Sequence, residues 1–394
     1  MNETYNSIDP IKTHQFIITW DTGRRCNFDC SYCGSDRHDL VSKFPEFDEL
    51  TKGVDFIKGY LRTILPYRNE KSANISLTGG EPTANPSFMR LSSYLKDSFA
   101  DYEYEVFTTL TTNGSFPEQN IPQLVQDFRS ITLSYHCDSH DIIKEKVRDN
   151  IFTLKEVMPS FKVNLMMHPY DSYWQECLDL IDAMDDKDVR YVPRIINGLE
   201  YSSEQSDFLK NYWQRKNKSK TEIKVEEVAK EPPLKEKELH RQMKKDVEKT
   251  FKELKKDTTK RNIIHGRHCC INHDLSCGFT CGDTQNLTYV SDTRFPEWYC
   301  GINWFFLHLE SQTDQIFHHQ TCQAQFGKGR GAVGKISEWQ TFNNHVKTML
   351  ETGKMETIQC PNKKCGCGLC ATKATDKTVF KNLIGNHVNG VVYV

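Results

Sequence analysis

From residue 15 to about 200 the chain alternates two patterns. Short apolar runs are followed by longer segments in which apolar residues recur every three or four positions. The short runs predict six strands: Gln15 to Trp20, Ala73 to Thr78, Tyr104 to Leu110, Ser130 to His136, Lys162 to His168 and Val189 to Ile196. The longer periodicity predicts helices at Phe47 to Leu65, Phe88 to Phe99, Ile121 to Phe128, Ile142 to Met158 and Trp174 to Met184. Strand and helix in regular alternation predict an α/β fold with a parallel sheet. No stretch approaches the roughly eighteen consecutive apolar residues of a membrane span.

The alternation stops after residue 203. Between Lys210 and Arg261 there are eighteen Lys and Arg against ten Asp and Glu, in a chain whose formal net charge is only -2. After Pro232 and Pro233, which suit a helix start, Leu239, Met243, Val247, Phe251 and Leu254 fall every three or four residues. Residues 204–262 are therefore expected to be a charged, basic helical insert or linker, apolar along one side. A solvated linking helix and a contact with a polyanionic or acidic substrate both fit that pattern. Ten of the 15 cysteines lie in 263–394, a density that predicts a small metal-binding domain after the core of 1–203.

Composition bears mainly on the cysteines. A secreted chain with 15 of them would suggest disulfides, but Met1 to Gln15 is polar and lacks the apolar region of a signal peptide. Clustered thiols that ligate metal need a reducing compartment, so the expectation is a cytoplasmic protein without a membrane partner.

Cys26, Cys30 and Cys33 follow directly on the first strand, spaced by three and then two residues. Chance would produce this spacing in about two of a hundred chains with this cysteine content, so spacing alone does not decide. Chemically it suits an iron-sulfur cubane in which three irons have thiolate ligands and the fourth is open. About fifty residues on, after the second strand, comes Leu77-Thr78-Gly79-Gly80-Glu81-Pro82-Thr83. Adjacent glycines allow a backbone to approach a ligand closely, and a carboxylate beside them can receive an ammonium group. Both motifs sit at strand ends, where parallel α/β folds carry their functional loops.

Together the two motifs resemble the radical S-adenosylmethionine (radical SAM) enzymes. The resemblance implies a partial (β/α)6 barrel and a 4Fe-4S cluster on Cys26, Cys30 and Cys33. It further implies that the open iron chelates the amino and carboxylate groups of S-adenosylmethionine, with Gly79, Gly80 and Glu81 near the amino group. Tyr32 stands where the family has an aromatic residue near the adenine. Asn113, Ser134 and His136 stand at strand ends that in the family contact the cofactor's ribose or carboxylate. His136 and His168 could equally face substrate or be structural. The sixth strand lacks the glycine-containing adenine motif of some members.

The C-terminal cysteines resemble the SPASM or twitch auxiliary-cluster extensions of the same superfamily. The resembling residues are Cys300, Cys322 and Cys360, then Cys365, Cys367 and Cys370, spaced by four, one and two. That spacing departs from a full SPASM domain and leaves open which thiols ligate, and whether they hold one cluster or two. Zinc is the alternative to an auxiliary iron-sulfur cluster. Cys269, Cys270, Cys277 and Cys281 fit a zinc, a further cluster or a hydrogen-donating thiol equally.

The resemblance implies reductive cleavage of S-adenosylmethionine to a 5'-deoxyadenosyl radical, with an electron from a flavodoxin or ferredoxin. Hydrogen abstraction from a large substrate, a peptide or protein, is the leading expectation, because auxiliary-cluster extensions accompany such reactions. The basic insert keeps nucleic acid or nucleotide as the alternative substrate. From another class comes a non-catalytic zinc or iron-sulfur protein, which would have no need of Gly79 to Pro82 beside three thiols. Oxidoreductase, isomerase and transferase outcomes all remain open.

Overall fold

The computed structural model describes residues 7–8, 15–33, 38–196, 198–215, 298–318, 331–356, 358–359 and 371–393. All six expected strands form. They are β2 (Phe16–Asp21), β3 (Ser72–Thr78), β4 (Glu105–Thr112), β5 (Ser130–His136), β6 (Lys162–Met167) and β7 (Tyr191–Ile195). A two-residue strand, β1 (Ser7–Ile8), precedes them. Between the six run α1 (Phe47–Ile64), α2 (Phe88–Phe99), α3 (Ile121–Asp127), α4 (Asp141–Val157) and α5 (Asp171–Asp186). Neighbouring strands pair in parallel, in sequence order from β2 to β7.

Strand alternation decides which side the helices cover. In β5, Ile131, Leu133 and Tyr135 are buried, and the Tyr135 hydroxyl meets Glu176 of α5 and Arg148 of α4. Thr132, Ser134 and His136 therefore lie on the face turned away from the helices. On β2, Trp20 points toward α1, where a side chain at Gly53 would strike its ring. Thr19 and Asp21 accordingly share the face of Ser134 and His136. Leu50, Val54, Ile57 and Leu61 of α1, three or four residues apart, are fully buried in the core on the helical side.

The sheet does not end at β2. After the sequence expected to form the insert come β8 (Tyr299–Cys300), β9 (Phe306–Glu310), β10 (Gln315–Phe317) and β11 (Gly334–Lys335). Strand β9 pairs in parallel with β2, while β10 and β11 add in antiparallel fashion outside it. The result is a nine-stranded sheet in the order β11-β10-β9-β2-β3-β4-β5-β6-β7. Residues from the stretch expected as a separate C-terminal domain are thus part of the core sheet. The hairpin expected before Cys322 is present as β9 and β10, turned at Asp314 in the left-handed conformation.

Helix α7 (Trp339–Glu351) returns onto α1, where Phe342 stacks on Tyr60 and meets Phe56 edge-on. Beyond it lie β12 (Lys354–Met355), β13 (Ile358–Gln359), β14 (Lys373–Ala374), α8 (Lys377–Ile384) and β15 (Val392–Tyr393). Strands β1, β14, β8 and β13 form a small second sheet with Cys300 buried on it. Of the expected insert, residues 204–215 belong to α6 (Ser203–Arg215), and the remainder lies outside the described residues. So do Cys322, Cys360, Cys365, Cys367 and Cys370, and also Cys269, Cys270, Cys277 and Cys281. Among the described residues no helix is long and apolar enough to cross a membrane.

Candidate active site

The loop after β2 folds on itself before it reaches the cysteines. Cys26 N donates to Asp39 O at 2.8 Å and Asp39 N to Arg24 O at 3.0 Å, so the chain leaving Arg24 is tied to the chain returning toward α1. Within it, Phe28 N donates to Cys26 Sγ (3.4 Å) and Cys33 N to Cys30 O (3.2 Å). Cys30 is buried, Cys26 half-buried and Cys33 exposed. Burial pushes the Cys26 thiol up to about 11, and the charges of Glu81 and Cys33 add to the shift. The Cys30 thiol is raised well above its usual range by burial, then by Asp138, Cys26 and Cys33.

Cys33 adds to the rise of Cys26, and both add to that of Cys30, so these two thiols resist becoming thiolates beside their neighbours. A cationic iron centre reverses that logic, because its charge favours the deprotonated sulfurs. The donor set therefore fits a cluster with three protein ligands.

The Gly79-Gly80-Glu81-Pro82 segment does its local work on this same loop. Gly80 N donates to Gly23 O at 2.8 Å and Glu81 N to Arg25 O at 3.0 Å. Gly79 has φ +142°, and a side chain there would strike the Gly23 carbonyl. A side chain at Gly80 would strike the carbonyls of Arg24 and Arg25. The close approach that the glycines permit is thus between two loop backbones, with the cysteine loop held against the end of β3.

Glu81 differs from the expectation of an open ammonium receptor. It is 2% exposed, and its carboxylate is surrounded by donors of the protein itself. Oε1 accepts from Thr83 N (2.9 Å), the Thr83 hydroxyl (2.5 Å) and the Thr112 hydroxyl (2.7 Å), while Oε2 accepts from Asn113 N (2.6 Å). Burial raises its pKa, and these hydrogen bonds oppose the rise. Its position between the ends of β3 and β4 makes it a tie between two loops. The reason is geometric: the turn Pro82–Ala84 points its free amides back at the residue that precedes it.

Asn113 completes that tie. Its Nδ2 donates to Asn27 Oδ1 at 2.8 Å and lies 3.9 Å from Cys26 Sγ, while its Oδ1 accepts from Ser115 N and from the Ser115 hydroxyl. One side chain therefore touches the cysteine loop while its backbone holds Glu81.

At the end of β5, His136 Nδ1 lies 2.6 Å from the Tyr32 hydroxyl and 3.4 Å from Cys30 Sγ. The Tyr32 ring stacks on the imidazole at 5.9 Å and 12°. Burial, with the charge of His38 second, lowers His136 to about 4. Ser134 sits two residues earlier on the same face, about 7 Å further down the strand, beside Asn164 of β6. His168, just past β6, is fully buried among the rings of Tyr32, Tyr170 and Tyr173, and burial lowers it to about 3. The loops after β2, β3, β4 and β5 thus bring Cys26, Cys30, Tyr32, Gly80, Asn113 and His136 to one end of the sheet. Cys300 belongs to the second sheet.

Sequence reading missed Asp138, whose Oδ2 accepts from Ser31 N (3.0 Å) and the Ser31 hydroxyl (3.2 Å), within the cysteine run. It also missed Thr112 and Asn27. Asp138 and Thr112 stand two and one residues from residues that were singled out, so proximity to a strand end was the available signal.

Residues 20–183 match the model of the radical SAM superfamily. The matched residues run from the end of β2 to the last turn of α5 and include both motifs. No curated protein matches the chain. Similar solved structures include native anSMEcpe with bound AdoMet, with TM-score 0.39, 15% identity, and coverage of 50% of this chain and 61% of that one. BtrN in complex with AdoMet and 2-DOIA has TM-score 0.29, 15% identity, and coverage of 38% and 56%. His-tagged anSMEcpe with bound AdoMet is matched over 54% of its length, so the chain spans little more than half of these proteins.

Proposed function

We propose that Cys26, Cys30 and Cys33 hold a 4Fe-4S cluster whose open iron binds S-adenosylmethionine, and that the radical so generated abstracts hydrogen from a peptide or protein. The observation that carries the first part is the loop at the end of β2, locked by Gly80 and Glu81, in which burial and neighbouring thiols raise Cys26 and Cys30. When bound, the cluster supplies the electron that cleaves the sulfonium to methionine and a 5'-deoxyadenosyl radical.

Each protein group has a defined task in this reading. Glu81 and Asn113 fix the cysteine loop relative to β3 and β4. His136, kept neutral by burial, hydrogen-bonds the Tyr32 hydroxyl and so sets the ring's angle over the site. Thr132, Ser134 and His136 place polar groups on the face away from the helices, where the cofactor's ribose and the substrate would lie. The partial barrel of six units is the proposed form of the β2–β7 sheet.

The peptide assignment is supported by the cysteine-rich C-terminal sequence. Cys300, Cys322, Cys360, Cys365, Cys367 and Cys370 are the proposed donors of an auxiliary cluster, in a C-terminal region that follows a basic arm at 204–262. A flavodoxin or ferredoxin is the proposed electron donor.

The test is anaerobic reconstitution with iron and sulfide, followed by assay of 5'-deoxyadenosine under dithionite. Wild type should form it and Cys30→Ala should form none. Wild-type protein with a full cluster that leaves S-adenosylmethionine intact would overturn the reading.

A further inference from the structure

We infer a second metal site in this chain, for a zinc-class first-row divalent cation, formed by Asp21, His308 and Glu310. It does not depend on the proposed radical chemistry. His308 and Glu310 lie on β9 directly beside Thr19 and Asp21 of β2. Adjacent residues of paired parallel strands share a face, so all three side chains lie on the face that carries His136. Asp21 ends β2, five residues before Cys26, which puts the cluster at the same end of the sheet as the cysteine loop.

Two independent observations point to a ligand. The first is His308 itself, 1% exposed, with neither ring nitrogen making a hydrogen bond. A buried imidazole without a hydrogen bond loses the water it had in the unfolded chain, and here only two carboxylates at ion-pair distance offset that loss. The second is spacing. His308 Nε2 stands 3.5 Å from Glu310 Oε1 and 3.6 Å from Asp21 Oδ2, outside good hydrogen-bond range, with the three ligand atoms within 4.8 Å of one another. Ligands about 2.1 Å from a tetrahedral zinc are about 3.4 Å apart, so these distances are those of ligands around a common ion.

The surroundings prepare the carboxylate for the task. Glu310 turns Oε1 to His308, while Oε2 accepts from the Thr313 hydroxyl at 2.9 Å and faces Arg24 Nη2 at 3.8 Å. Such outer contacts orient a ligating carboxylate and leave one oxygen for the ion. Two carboxylates and a neutral imidazole give a hard-to-borderline donor set suited to zinc, manganese or iron(II) rather than to a thiolate cluster. Asp21 and Glu310 remain partly exposed, with side chains 28% and 23% accessible. Three protein ligands and solvent access leave a fourth position for water or for an oxygen donor of the substrate.

The test uses the full chain, reconstituted with iron and sulfide and cleared of other divalent ions by chelation, then titrated anaerobically with Co(II). Wild type should bind one cobalt more than Glu310→Gln or Asp21→Asn, and the difference spectrum should show ligand-field bands without thiolate charge transfer. Zn(II) should displace that cobalt. Each variant should weaken the site at least tenfold. The carboxamide variants keep the side-chain shape, so they carry the test even if His308→Ala fails to fold. Equal cobalt binding by wild type and by both carboxamide variants, at wild-type iron content and circular dichroism, would overturn the site and leave the three residues as an ion-pair cluster. The same difference must persist on a Cys30→Ala background, which separates this site from the fate of the radical reading.

Discussion

The Tyr32 hydroxyl lies 2.6 Å from His136 Nδ1, across a gap of 104 residues, with the two rings stacked. Burial raises the phenol's pKa and lowers that of the imidazole, so both groups are neutral and one hydrogen bond joins them. The hydroxyl is thus engaged within the protein, and in the proposed function the ring is the part that would meet the adenine. Tyr32→Phe should cost about 1 kcal/mol of stability while S-adenosylmethionine affinity stays within about twofold. Tyr32→Ala should weaken binding much more. A tenfold loss with Phe, measured by equilibrium binding to the reconstituted protein, would assign the hydroxyl to the cofactor.

Gly80→Ala places a methyl group against the carbonyls of Arg24 and Arg25, which are backbone and cannot swing aside. The cysteine loop must then shift, and the three thiols with it. Iron retained after reconstitution should fall severalfold, while the circular dichroism of the sheet and helices is preserved. Iron content and visible absorption check this together.

Glu81→Gln separates a structural carboxylate from a ligand. Four donors converge on the two oxygens, so an amide would set its own NH2 against one of them. A loss of about 2 kcal/mol in denaturant unfolding is expected, because a buried donor is left without an acceptor. Weakened S-adenosylmethionine binding at unchanged stability would contradict this and return Glu81 to the cofactor.

His168 makes the fold acid-sensitive. Its pKa falls from 6.5 to about 3 through burial, so the native state holds it neutral. Above pH 6.5 neither state gains a proton there and stability is unaffected. As pH falls from 6.5 toward 3, the unfolded chain protonates first, and about 3 kcal/mol is lost by pH 4. His168→Phe should flatten that slope in urea midpoints measured between pH 7 and 4. An unchanged slope would place the acid sensitivity elsewhere.

The cysteine triad and Gly79 to Pro82 were legible because their chemistry is local. Each motif is contiguous, and each follows a strand whose alternation is visible in the same stretch. Glu81 shows where such reading stops. Its type suggested a partner with positive charge, but the donors that surround it come from Thr83, Thr112 and Asn113, and two of these three lie on or just beyond another strand. Asp138 was missed for the same reason, since only the folded loop brings Ser31 to it.

By itself the sequence determined the six strand and helix units, their parallel arrangement and the thiols at the end of the first strand. Periodicity of two or 3.6 is a property of neighbouring residues, and a motif's spacing is fixed before the chain folds. Tertiary structure alone decided that β9, nearly three hundred residues beyond β2, pairs on its outer edge and sets His308 and Glu310 beside Asp21. Pairing depends on which open strand edge is available once the rest has packed, and no local pattern carries that information.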